Sequence, residues 1–204
     1  MLYYRILLLL LLAIGLFSND WLPPEWGWEN GVIEWSQVII LSLGLILSWN
    51  KSSSSFGLFA TPVWLIMIGR ELSWGRVFFP IGIDQAGPYF PSLKELWYGP
   101  AVYPTVTVIL LIWLWAIIKY KLYMIPIRMI KQGGFPWTNL LLVFLSAVTA
   151  YVSEKHLDRP VSEEFCELIA YIGLVVLSLE FKNIILHSKN KLLVLSNISH
   201  KKSI

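Results

Sequence analysis

Charge is scarce in this chain. Of its 204 residues 14% are charged, against roughly a quarter in an average soluble domain. Cysteine is nearly absent: Cys166 stands alone, so no internal disulfide can form and the redox compartment cannot be read from it. Histidine is limited to His156, His187 and His200. Zinc catalysis generally uses two or three His or Cys ligands. The last two histidines fall in the C-terminal tail, which leaves His156 by itself and argues against a zinc hydrolase. Haem between helices would want His pairs inside the apolar runs, and there are none. A Gly-x-Ser-x-Gly elbow and a phosphate-binding glycine loop are both missing. The bases are dispersed, so nucleic acid is not an expected partner. The apolar runs show no strand alternation, which favours helices over a barrel.

What the chain does have is apolar and aromatic mass, 56% hydrophobic with 11 Trp. A spanning helix needs about 20 mostly apolar residues. Six runs approach that, some of them short: 2–18, 31–49, 56–74, 101–119, 137–153 and 164–182. The expected architecture is all-α, a single polytopic domain with a basic tail at 183–204. Twelve of the thirteen acids fall in three segments that six spans would place on one side: Asp20–Glu34, Glu71–Glu95 and Glu154–Glu167. Glu180 is the exception. Eleven of sixteen bases fall on the other side, from Arg5 and Lys51 through Lys119, Lys121, Arg128 and Lys131 to Lys182 and the tail. Lys and Arg set orientation, so both termini are expected inside, in a multi-pass membrane protein. Arg5 followed by Ile6–Phe17 also has the shape of a signal peptide. Ser18-Asn19-Asp20 lacks a small-x-small cleavage pattern, which favours a retained helix; cleavage would leave five spans.

The links differ in chemistry. Asn50–Ser55 is short and polar, an inner turn. Lys119–Pro136 mixes bases with Leu122, Met124, Ile125, Ile127, Met129 and Ile130, which suits the inner headgroup layer and anionic lipid. The outer links are aromatic: Trp21-Leu-Pro-Pro-Glu-Trp-Gly-Trp28, and Phe78, Phe79, Tyr89, Phe90, Trp97 and Tyr98 among the prolines and glycines of 75–100. Such residues belong at the membrane boundary or packed on one another. They predict a structured cap over the outer helix ends, with a plain aromatic belt as the simpler alternative.

The second and sixth runs share a pattern. Glu34, Gln37, Leu41, Gly44 and Ser48 fall on one helical stripe, and Glu164, Glu167, Tyr171, Leu174 and Ser178 on another. Carboxylates at 34, 163 and 164 also suit helix N-termini, whereas Glu167 lies about a turn further in and needs a partner or water. In the third run, Arg70 falls about 21 Å along a helix begun near Phe56. Arg70 and Trp74, four apart, should share a face. Arg70 and Glu71 point about 100° apart, so Arg70 should seek a carboxylate on another helix, Glu34 or Glu167.

Glu71-Leu72-Ser73-Trp74-Gly75 resembles the Glu-x-Ser-Trp-Gly motif of uncharacterised bacterial polytopic membrane proteins, which also carry a Glu-bearing late span similar to Glu163-Glu164-Phe165-Cys166-Glu167. The resemblance covers about a third of the chain and implies a bacterial inner-membrane protein without an assigned activity. CAAX-type intramembrane proteases have paired glutamates followed by arginine; Glu163-Glu164 resembles the pair, but Glu167 and Leu168 stand where the arginine is expected. The site expected from these residues lies between the outer ends of the second, third and sixth runs. Glu34, Arg70, Glu71, Trp74, Glu164 and Glu167 are its ligand-binding residues. Glu71 and Glu167 are candidate catalytic acids, and His156 a candidate base. No cofactor and no metal is expected, although Glu71, Asp158, Glu164 and Glu167 offer oxygens to a hard cation. Three functions fit: binding or transport of a cationic or polar lipid-like ligand; carboxylate-dependent chemistry on lipid or glycan at the outer leaflet; or a structural subunit beside a membrane-protein partner.

Overall fold

The apolar runs become helices, and the segments rich in proline and glycine become turns. A computed structural model describes residues 2–49, 54–84, 87–131 and 134–201. They form α1 (Leu2–Leu16), α2 (Val32–Ser48), α3 (Ser54–Glu71), α4 (Gly99–Lys119), α5 (Met124–Lys131), α6 (Trp137–Leu157) and α7 (Pro160–Lys201). The class is all-α. Among the described residues, α4 and α6 are long and apolar enough to cross a membrane, while α1 and α2 are apolar but shorter.

The α7 helix is the axis of the molecule. Against it lie α6, α2 and α1, with α3 packed on α2 and α4 on α3. One apolar core joins Leu8 and Leu12 of α1 to Leu142 and Ala150 of α6 and to Cys166 and Ile169 of α7. A second joins Leu41 of α2, Phe56, Ala60 and Trp64 of α3 and Tyr171 of α7. The α6–α7 reversal is tight because Asp158 takes the left-handed conformation at the C-terminus of α6 (φ 49°) and Pro160 starts α7, where a missing N–H costs nothing. The sixth run therefore starts earlier than 164, and the helix continues through the segment read as a tail as far as Lys201. The inner turn expected at 50–55 lies mostly outside the described residues; Ser54 and Ser55 already belong to α3. In the basic link, α5 is a short helix that buries Met129 and exposes Arg128 and Lys131.

The links read as outer from the sequence have local structure but bury little. Ser18–Asp20, Pro24–Gly27, Ser73–Phe78 and Leu93–Glu95 are 3-10 turns, and Gly82–Asp84 pairs antiparallel with Gly87–Tyr89 in a small ribbon. Ser92 and Glu95 close a capping box on the last of these turns. The expectation of a structured cap is met in its local structure. Its aromatic residues are not gathered inward, however: Phe78, Phe79 and Tyr89 are exposed and Trp97 is 88% exposed.

Candidate functional site

The two stripes read from the sequence face each other. On α2 the buried residues are Ile33, Glu34, Gln37, Leu41, Gly44 and Ser48. Gln37 Nε2 donates to the Glu164 carbonyl at 2.9 Å and to Glu164 Oε2 at 2.8 Å. Eleven residues on, Ser48 lies 3.2 Å from Ser178, and Trp64 Nε1–H donates to Ser48 Oγ at 2.8 Å. The helices therefore run in the same direction, with the acids gathered at one end.

Arg70, near the end of α3, joins two of those acids. Its Nη2 donates to both oxygens of Glu167 at 2.8 and 2.7 Å, and its Nε donates to Glu71 Oε1 at 2.9 Å. Of the two interhelical partners expected for Arg70, Glu34 and Glu167, it is Glu167 that Arg70 meets. The expectation that Arg70 and Glu71 would not pair is corrected: the long guanidinium side chain folds back over its neighbour, covering the angular separation. Tyr171 completes the group, its hydroxyl donating to Glu71 Oε1 at 2.6 Å and lying 3.4 Å from Glu167 Oε2. Glu71 is 5% exposed and Arg70 59% exposed, so the charge is sunk on one side and open on the other. Glu34 stands next to them in a narrow cleft lined by Asn30, Trp35, Val38, Glu71, Leu72 and Val77. Its carboxylate accepts the Asn30 backbone N–H, the helix-start role expected of it.

The Glu-x-Ser-Trp-Gly segment shapes this end of α3. The helix stops at Glu71, not at 74, and Ser73, Trp74 and Gly75 have φ of 44°, 56° and 89°. Left-handed backbone is uncommon for residues with a Cβ, and three in succession turn the chain sharply. Trp74 is therefore not on the helical face of Arg70, a second correction. Its ring folds back onto Gly69, where a Cβ would meet it at 2.6 Å. Ser73 Oγ–H donates to Glu29 Oε1 at 2.6 Å, tying the α1–α2 link to this turn. Trp74 is a buttress of the Arg70 end of α3; no contact places it on the carboxylates.

Other sequence candidates lie apart. His156 is exposed near the end of α6, its ring beside Tyr151 at 6.3 Å. Asp158 is the left-handed residue closing α6. Among the described residues, no three His, Cys, Asp or Glu side chains are grouped to hold a metal ion, so the hard-cation reading of Glu71, Asp158, Glu164 and Glu167 is not sustained. Glu163, in the first turn of α7, has its carboxyl pushed up to about 7, first by partial burial and then by the charges of Glu154 and Glu167.

Sequence reasoning missed a second polar cluster, at the other end of the bundle. Tyr4 OH donates to Asn139 Oδ1 at 2.5 Å and to Glu180 Oε1 at 3.1 Å. Asn139 Nδ2 donates to Glu180 Oε2, Arg5 Nε donates to Asn139 Oδ1 at 3.1 Å, and Arg5 Nη2 lies 4.0 Å from Glu180. The signal was present: Glu180 was the one acid outside the three acidic segments. Comparison of the chain with protein-family models, with curated proteins and with solved structures finds no match.

Proposed function

We propose that this chain is a six-span protein of a bacterial inner membrane, with both termini on the basic face, whose acidic outward end binds or transports a cationic or polar lipid-like ligand. The observation that carries the reading is an imbalance of charge. Glu71 and Glu167 share Arg70, Glu34 lines a cleft with Glu71, and Glu164 is held by Gln37 one helical turn before Glu167; among the described residues Arg70 is the one base paired with these acids. Burying several carboxylates around a single guanidinium is costly unless further positive charge or hydrogen-bond donors reach them. Arg70 and Glu167 form the open edge through which such a group would approach.

The membrane setting is supported by what the helices leave uncovered. None of the apolar stretch of α4 is buried, with Leu111, Ile112, Leu114, Trp115 and Ile118 all exposed. Similar exposed rows occur on α1 (Leu7, Leu9, Leu10, Ile14) and on α6 (Leu141, Phe144, Leu145, Val148). Apolar faces of this extent mark contact with lipid or with other protein. At the basic face, Lys119 Nζ lies 4.2 Å from the Trp115 ring centroid, an arrangement suited to an interfacial anchor.

Topology is tested by reporter fusions after Lys51, Gln132 and Lys202. All three should report the cytoplasm, and a periplasmic signal from any one breaks the six-span reading. The site is tested by Glu71→Gln and Glu167→Gln, followed by folding in detergent and by phenotype. Folded but inactive variants support a ligand site. Variants that only lose stability support the competing reading, a structural subunit whose ion pairs fix helix packing.

A further inference from the structure

Between Glu95 and Glu154 the chain holds four bases, Lys119, Lys121, Arg128 and Lys131, and no acid. It leaves α4 at Lys119, turns on left-handed Lys121 (φ 52°) and enters α5. Leu122 and Met129, each 2% exposed, seat this segment on the bundle. The Gly134 N–H donates to the Met129 carbonyl at 3.1 Å, and the Phe135 ring lies 5.5 Å from that of Phe181, so α5 sits at the Glu180 end of α7. Glu180 is taken up by Tyr4, Asn139 and Arg5. Among the described residues no carboxylate pairs with any of the four bases.

The outer side of α5 is divided lengthwise. Ile127 and Ile130, three apart, share one side; Arg128 and Lys131, also three apart, share the next; all four are exposed. An apolar strip beside a basic strip suits a helix lying at a membrane surface, with acyl chains under one and headgroups at the other. Lys119 over the Trp115 ring and the exposed Tyr120 mark the same level as interfacial. We infer that α5 lies along the membrane surface, where Lys119, Lys121, Arg128 and Lys131 bind the phosphates of anionic lipid, with Ile127 and Ile130 among the acyl chains. This rests on the membrane reading above. Anionic headgroups supply the counter-charge that the chain itself does not. The occupant is lipid and not an acidic protein because the segment continues directly from α4, whose apolar stretch is wholly uncovered.

The test reconstitutes the full chain in phosphatidylcholine and follows two lipids by spin-label resonance. Phosphatidylglycerol and phosphatidylcholine carry the same label, and the motionally restricted fraction of each is measured. A base near an anionic surface contributes about fivefold at its own position, which the rest of the lipid shell dilutes. Phosphatidylglycerol should therefore be preferred at least about twofold, and less at high salt. Arg128→Gln combined with Lys131→Gln should lower the preference; both residues are exposed, so the buried side of α5 is untouched. Equal association of the two lipids would overturn the inference and leave these bases to an acidic protein. A preference unchanged in the double variant would overturn its placement at α5. A spin label at Ile127→Cys, with Cys166 buried and out of reach, should be relaxed more by dissolved oxygen than by an aqueous nickel chelate. The reverse would put that side of α5 in water and overturn its seating in the membrane. No restricted component for either lipid would overturn the membrane reading itself, an outcome distinct from equal association.

Discussion

Tyr171→Phe isolates a single hydrogen bond. The ring is packed with Leu41, Phe56, Ala60 and Trp64, and phenylalanine keeps that packing. What is lost is the 2.6 Å bond to Glu71 Oε1 between two residues each 5% exposed. In water-soluble proteins a hydrogen bond to a charged group contributes about 1.5–3 kcal/mol, whereas bonds between membrane helices average nearer 0.6 and reach about 1.7 kcal/mol. Glu71 keeps a donor in Arg70 Nε after the change, so it is not orphaned. These considerations place the loss at about 1–2 kcal/mol. The assay is reversible unfolding in mixed micelles, with Glu71→Gln and the double variant closing a cycle. Glu71→Gln alone should be milder on the Arg70 side, because an ion pair to an exposed guanidinium contributes at most about 1 kcal/mol. A coupling of about 0.5–2 kcal/mol between positions 71 and 171 is expected. A Tyr171→Phe protein as stable as the parent, with no coupling, would refute the claim that this bond holds α3 to α7.

Further predictions concern other parts of the molecule. The raised carboxyl of Glu163 means that the folded state holds its proton to about pH 7 while the unfolded chain releases it near the ordinary 4.5. Stability from this residue is then lost as pH rises between those values, so Glu163→Gln should raise the melting temperature at pH 8 and leave it unchanged at pH 4; a lower value at pH 8 reverses the sign and sinks the argument. Gly75→Ala puts a side chain on a residue at φ 89° with its Cβ 2.9 Å from Tyr98 OH, and should cost about 1–3 kcal/mol in the same unfolding assay; an unaffected protein would show that the turn is not held left-handed. Asn139→Leu leaves Glu180 buried without its amide donor and should cost about 1–3 kcal/mol, with α1 becoming more accessible to protease; no change in either would remove the polar anchor assigned to α1.

The parts of the fold that were legible are those written as periodicity. The stripe Glu34–Ser48 could be read from spacing alone, and it is the buried face of α2. That Arg70 would meet a carboxylate of another helix followed from its place in an apolar run, where a charge demands a counter-charge, but spacing left Glu34 and Glu167 equal and packing chose Glu167. The turn at Ser73–Gly75 was not legible in this way. Nothing in helical periodicity tells that α3 ends at Glu71, since Leu72 and Trp74 continue the apolar pattern while the backbone has left the helix. Tyr171 was on the stripe, yet spacing does not distinguish a packed ring from one whose hydroxyl reaches a carboxylate. Tyr4 and Asn139 were hidden for another reason: each sits at the polar edge of an apolar run, where a side chain ordinarily faces water or headgroups, and only the packing of α1 and α6 against α7 brings them to Glu180.

The two polar clusters lie along one helix and are satisfied differently. Glu180 is met by Asn139 and Tyr4 with Arg5 close by, donors drawn from α1 and α6. That is the pattern of an anchor: every contact is internal, and together they fix the first helix to the bundle. At the other end, Glu164 and Glu167 belong to a group with more carboxylates than bases, a buried amide oxygen without a donor and a guanidinium open on one side. The contrast within α7 is between an end whose acid is met by internal donors and an end where carboxylates outnumber bases among the described residues.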